Sequence, residues 1–147
     1  MPWQVFDHTA DLGLRIEAET LPALFEEAAR AFASLVVEDL DGVEARAEEV
    51  FELRAADPVD LLFDWLHALL VAFELRHLLF ARARVSLAEP AAAEGVDGPI
   101  VLRASAWGER VDPARHRLVH EVKAITYHGL SLRRHDGGWA AEVIVDV

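Results

Sequence analysis

From Val59 to Leu75 the chain is apolar on nearly every side, broken only by Asp60, Asp64, His67 and Glu74. A helix that is hydrophobic all round must be enclosed, either by a protein core or by lipid. The interrupting charges make the run unsuited to spanning a bilayer, and no other apolar run reaches spanning length. The stretch is therefore predicted to be a central, buried helix around which the remaining elements are layered. It has a well-formed start, with Asp57 as cap, Pro58 at the first position and Asp60 in the first turn. Asp60, Asp64 and His67 recur at i, i+4 and i+7, a narrow polar stripe that reads as the solvated edge of this helix.

A second helix is predicted from Thr20, a capping residue, with Pro22 in the first turn. Leu21, Leu24, Phe25, Ala28, Phe32 and Leu35 keep helical spacing to about Val37, with Glu26, Glu27 and Arg30 opposite. Strand-like runs cover Trp3 to Phe6, Leu12 to Ala18, Phe51 to Ala55, Leu79 to Leu87, Ile100 to Trp107 and Val119 to Leu132. Ala140 to Val145 is almost wholly apolar, which suits a strand buried on both faces. His135-Asp136-Gly137-Gly138 reads as a hairpin turn, Glu38 to Gly42 as an acidic loop, and Glu89 to Pro99 as a loop rich in small residues. This order predicts an α+β fold, a two-layer α/β sandwich. A mixed, largely antiparallel sheet would pack against two main helices, as a single domain over residues 1–147.

Composition narrows the function. Cysteine is absent, which excludes disulfides and thiolate metal sites. The formal charge of −12 opposes tight, direct binding of nucleic acid, whose partners present clustered Lys and Arg. The start of the chain lacks a basic-then-apolar signal pattern, so a cytoplasmic location is expected, with no membrane partner. Thirteen arginines accompany a single lysine, Lys123, and a single tyrosine, Tyr127. A GC-rich codon bias accounts for the abundance of Ala, Arg, Leu and Glu. The scarcity of Asn, Gln, Met and Cys hints at a thermophile, although low Lys does not fit that signature. Lys123, Thr126, Tyr127 and His128 fall together against the arginine bias, and a compact ammonium does what a guanidinium does not.

The densest polar motif is Asp7-His8-Thr9-Ala10-Asp11-Leu12-Gly13, between the first two strands. The last strand stops at Asp146, followed by Val147. Asp11 and Asp146, with the backbone of Val147, are read as meeting at adjacent strand ends to hold a metal ion. Carboxylate and carbonyl ligands favour a hard cation, Ca2+ foremost, with Mg2+ or another hard divalent ion as alternatives. The plainer reading of Asp7 and Asp11 is turn hydrogen bonding to nearby backbone. His8 fits orienting a carboxylate better than ligation. His116, His120 and His128 invite a zinc site, but none of their spacings is that of a helical zinc pair. Four serines and three threonines lie in no nucleophile elbow, and no Gly-rich phosphate loop is present. No catalytic residue is assigned, and an independent enzyme is not indicated.

Three ordered motifs carry a resemblance over essentially the whole chain: Asp7 to Asp11, Glu121 to His128, and Val143-Ile144-Val145-Asp146-Val147. The segment Leu61 to Leu66 and the Trp107-Gly108-Glu109 turn add to it. Together they resemble the archease family of small α/β proteins. The resemblance implies a protein cofactor for an RtcB-type, GTP-dependent RNA ligase, promoting ligase guanylylation and turnover in tRNA splicing or RNA repair. It also implies a calcium site at Asp11, Asp146 and Val147, where Val replaces the usual Ile. A backbone ligand is indifferent to that change. Asp7, His8, Lys123, Tyr127 and His128 would form a supporting or functional face. Two other classes compete: a stand-alone metal-dependent phosphoesterase built on Asp7, Asp11 and Asp146, and a general chaperone or modulator of RNA-modifying enzymes. The first lacks the bridging carboxylates of a two-metal site.

Overall fold

The structure is a computed structural model that describes residues 2–8, 11–88 and 98–147, apart from the side chains of Asp7 and His8. Thr9, Ala10 and most of the predicted Glu89–Pro99 loop lie outside the described residues. The fold is α+β, with two helices and seven strands. The strands divide between two sheets where the sequence suggested one, and every pairing is antiparallel. β1 (Trp3–His8), β2 (Asp11–Ala18), β7 (Gly138–Asp146) and β6 (Ala124–His135) form a four-stranded sheet in that order. β3 (Ala47–Ala55), β5 (Ile100–Arg110) and β4 (Leu78–Ala88) form a three-stranded one.

Local chemistry sets the helix limits. In α1 (Leu21–Val36) the Thr20 hydroxyl accepts from the Ala23 N–H at 3.2 Å; in α2 (Pro58–Arg76) the Asp57 carboxylate accepts from the Asp60 N–H at 2.9 Å. His77 ends α2 in the left-handed conformation, φ 56°, and its N–H returns to the Phe73 carbonyl at 2.8 Å. The acidic stretch after α1 contains a short 3-10 helix, Leu40–Gly42, capped by the Asp39 side chain.

One continuous core draws on both sheets and both helices. It includes Leu14 and Ile16 of β2, Val143 and Val145 of β7, Ile125 of β6, Leu102 of β5 and Phe80 of β4. Trp65 of α2 has no exposed surface; its indole N–H donates to the Phe25 carbonyl of α1 at 2.9 Å, and Phe51 of β3 meets its ring edge-on at 5.2 Å. One side chain thus ties α2 to the other helix and to the second sheet. Glu26 of α1 accepts from the Val85 N–H at 2.8 Å, which satisfies a strand N–H of β4, an edge strand of its sheet. Gly108 is required where β4 bulges between Phe80 and Arg82, since a Cβ there would lie 1.8 Å from the Leu79 carbonyl oxygen.

Candidate functional site

Strand alternation sends Leu14, Ile16, Val143 and Val145 toward the helices and the intervening residues of β2 and β7 to the opposite face. On that outer face the register places Arg15 opposite Glu142, Gly13 opposite Ile144, and Asp11 opposite Asp146. The first of these rows pairs plus with minus: the Arg15 guanidinium meets the Glu142 carboxylate at 2.7 Å. The last sets two carboxylates against each other, with Cβ atoms about 5 Å apart by ladder geometry. Both aspartates are half-buried, and neither has an ion-pair partner among the described residues. Like charges directly opposite are destabilising, and a bound cation reverses the sign of that interaction.

The surroundings limit what such a site holds. Among the described residues, no group of three or more His, Cys, Asp or Glu side chains could hold a metal ion. The described donors there are two carboxylates and backbone oxygens, a hard set. The Asp146 carbonyl already accepts from the Lys123 N–H at 2.7 Å, which fixes the approach to β6 against the end of β7. The Val147 side chain packs against the core, and its segment is held there. His8 is the strand partner of Asp11, and Asp7 of Leu12; their side chains lie outside the described residues.

The other predicted residues divide. Lys123 is exposed and precedes β6 by one residue. Tyr127 lies on the helix side of the sheet, its ring stacked on Phe63 of α2 with centroids 4.0 Å apart. Phe63 in turn stacks on His67 at 5.9 Å. Asp60, Asp64 and His67 of the predicted stripe, with the cap Asp57, therefore surround the Phe63–Tyr127 stack, a juxtaposition the sequence did not reveal. Burial, followed by the charges of Asp60, Asp64 and Asp57, raises the Tyr127 hydroxyl above its ordinary value. Burial, followed by Asp60, raises Asp64, with His67 opposing. By strand alternation this cluster belongs to the opposite sheet face from Asp11 and Asp146. His128 is exposed, where the β6–β7 register shifts between Thr126 and Ser131 next to Gly129, φ 71°.

The zinc grouping does not assemble. His116 is 3% exposed; its Nδ1 accepts from the Asp112 N–H at 2.9 Å, and its Nε2 lies 3.3 Å from Glu109 and 3.2 Å from the Gly42 carbonyl. His120 Nδ1 instead meets the Leu35 carbonyl at 3.0 Å. Glu109, itself 4% exposed, also accepts from the Glu44 N–H at 2.5 Å and from Arg115. Burial alone would raise the Glu109 carboxyl. The Glu44 N–H, Arg115 and His116 outweigh it and hold the group below its ordinary value. This is a structural network; the sequence marked Glu109 only as part of the Trp107-Gly108-Glu109 segment, read as a turn, whereas it lies within β5 and its partners are distant in the chain.

Residues 3–147 match the archease protein family. The archease of Methanopyrus kandleri is 41% identical over 147 residues, covering all of both chains. That of Pyrococcus furiosus is 35% identical over 146 residues, 99% of this chain and 98% of the other. The solution structure of Methanobacterium thermoautotrophicum protein 1598 superposes with a TM-score of 0.84 at 33% identity, covering 99% of each chain. A crystal structure from Thermotoga maritima, described as an archease and possible chaperone, shares the fold: its TM-score is 0.64 at 19% identity, over 98% of this chain and 96% of that one. The chain belongs to the archease family.

Proposed function

We propose that this archease is a protein cofactor of a GTP-dependent, RtcB-type RNA ligase, and that a hard divalent ion, calcium in the first instance, binds at Asp11, Asp146 and the Val147 backbone. The observation that carries the reading is the facing pair Asp11–Asp146 at the end of the β2–β7 ladder, two rows from the complementary pair Arg15–Glu142 of the same face. Family membership supports a partner-dependent role. The two carboxylates would supply charge for the ion, and the backbone oxygen a neutral ligand. When bound, the ion supplies positive charge that binds β2 to β7. The chain's own part is positional: the Lys123 N–H holds the Asp146 carbonyl, and the core holds Val147.

The acidic surface would meet a basic rim on the ligase, favouring the ligase conformation competent for GMP transfer by its differential affinity for that state. Lys123, retained among thirteen arginines, would meet a phosphate or a ligase carboxylate. The test is a ligase guanylylation time course with labelled GTP and a cognate ligase. Wild type should accelerate it and Asp146→Ala should not. Unchanged kinetics on adding wild type would refute the cofactor role.

A further inference from the structure

The charge of −12 is unevenly spread. The solvent face of the three-stranded sheet presents, row by row across β3, β5 and β4, Glu48–Trp107–Arg82, Val50–Ser105–Arg84 and Glu52–Arg103–Ser86. With Arg54 at the end of β3, four arginines stand against two glutamates, a positive face on an acidic protein. Glu52 engages Arg103 at 3.0 Å and Arg54 at 3.7 Å. Arg82 and Arg84 have no carboxylate partner among the described residues. Arg82 lies over the Trp107 ring, 5.1 Å from its centroid, an arrangement that orders the guanidinium and leaves its N–H donors unspent.

Between the rows is a shallow depression of about 270 Å³ lined by Val50, Arg84, Ser86, Arg103 and Ser105. It combines two guanidinium groups, two hydroxyls and an apolar floor; Val50 is 73% exposed. Arg82 and Arg84 project from the same face of one strand, about 6.6 Å apart along it. That repeat suits successive phosphates of an extended nucleic-acid strand, with the Ser105 hydroxyl for a phosphate or sugar oxygen and Val50 and Trp107 for apolar contact; the Ser86 hydroxyl donates to the Arg103 carbonyl at 3.4 Å. An extended acidic peptide repeats its charges at a similar distance along a strand; the Trp107 indole and Val50 beside the guanidinium groups favour a nucleic acid, whose bases have faces to lay against them.

We infer that this face is a contact surface for the phosphodiester backbone of single-stranded RNA, centred on Arg82, Arg84 and Arg103. The inference does not rest on the ligase reading, because it is measured without a ligase. Three phosphate contacts give weak binding whose logarithm falls with the logarithm of salt with a slope of about −2.

The test is fluorescence anisotropy with a labelled single-stranded RNA at a series of low salt concentrations. Wild type should bind with that slope. Arg82→Glu/Arg84→Glu should lose about tenfold or more in affinity, and Arg82→Lys/Arg84→Lys, which keeps both charges, should retain most of it. Asp136→Asn, at the β6–β7 turn of the other sheet, should bind as wild type does, and melting temperatures report the fold of each variant. No binding by wild type, or equal binding by the charge-reversed variant, overturns the inference. So does competition by polyglutamate as effective as competition by unlabelled RNA, since the surface would then serve an acidic protein.

Discussion

Two carboxylate clusters in this molecule have opposite construction. Glu109 is buried and answered from every side, by the Glu44 N–H, Arg115 and His116, so its charge is stabilised by the fold itself. Asp11 and Asp146 are half-buried and face each other, with no ion-pair partner among the described residues. A buried carboxylate with donors closes a structure. A facing pair of carboxylates costs stability, and the fold keeps it where β2 begins and β7 ends. The contrast separates a residue that holds the protein together from the pair whose charge the proposed ion would take.

The contrast can be broken first at the closed cluster. Glu109→Ala leaves His116 and Arg115 without their carboxylate, and should cost about 3 kcal/mol in chemical denaturation. A loss under about 1 kcal/mol would remove Glu109 from its structural role. The open cluster should respond to metal: calcium at a hundred times its dissociation constant should stabilise wild type by about 2.7 kcal/mol, and Glu109→Ala to the same degree. Failure of calcium to move the thermal transition of wild type would contradict the site.

Acid should weaken the closed cluster. The folded-state value of Glu109 lies below its ordinary 4.5, so the unfolded chain binds the proton more readily in that window. Its contribution is complete above about pH 4.5 and is lost as pH falls through the lower, folded value. Glu109→Gln should therefore flatten the acid limb of the stability curve, measured by denaturant midpoint against pH. The smallest effect belongs to Asp146→Asn without calcium. Removing one of two facing charges should leave stability unchanged or raise it by about 0.5 kcal/mol. A clear loss would mean that Asp146 is a structural residue like Glu109.

Legibility in the sequence followed the range of the interactions. The Thr20 and Asp57 caps and the Asp136-Gly137 turn were readable because their partners lie within four residues. At that turn both central residues take positive φ, 49° and 80°, as a two-residue hairpin requires. The start of β6 was not readable. The sequence reading begins the strand at Val119, yet residues 119–123 precede it and their N–H groups bond to distant carbonyls: Val119 to Val36, His120 to Leu35, Lys123 to Asp146. The division into two sheets was hidden for the same reason, since alternation gives each strand its faces but not its neighbours. Tyr127 drew attention as the single tyrosine, but its stack on Phe63 and its place beside Asp57, Asp60 and Asp64 depend on how α2 crosses β6.

Calcium titration calorimetry on wild type, Asp11→Asn and Asp146→Asn, each also melted without metal, tests the central claim most directly. The account predicts one calcium per wild-type chain, weaker binding at acid pH because the ligands must be ionised, no binding by either variant, and metal-free variants at least as stable as wild type. Equal calcium binding by all three proteins, or none by wild type, would contradict it.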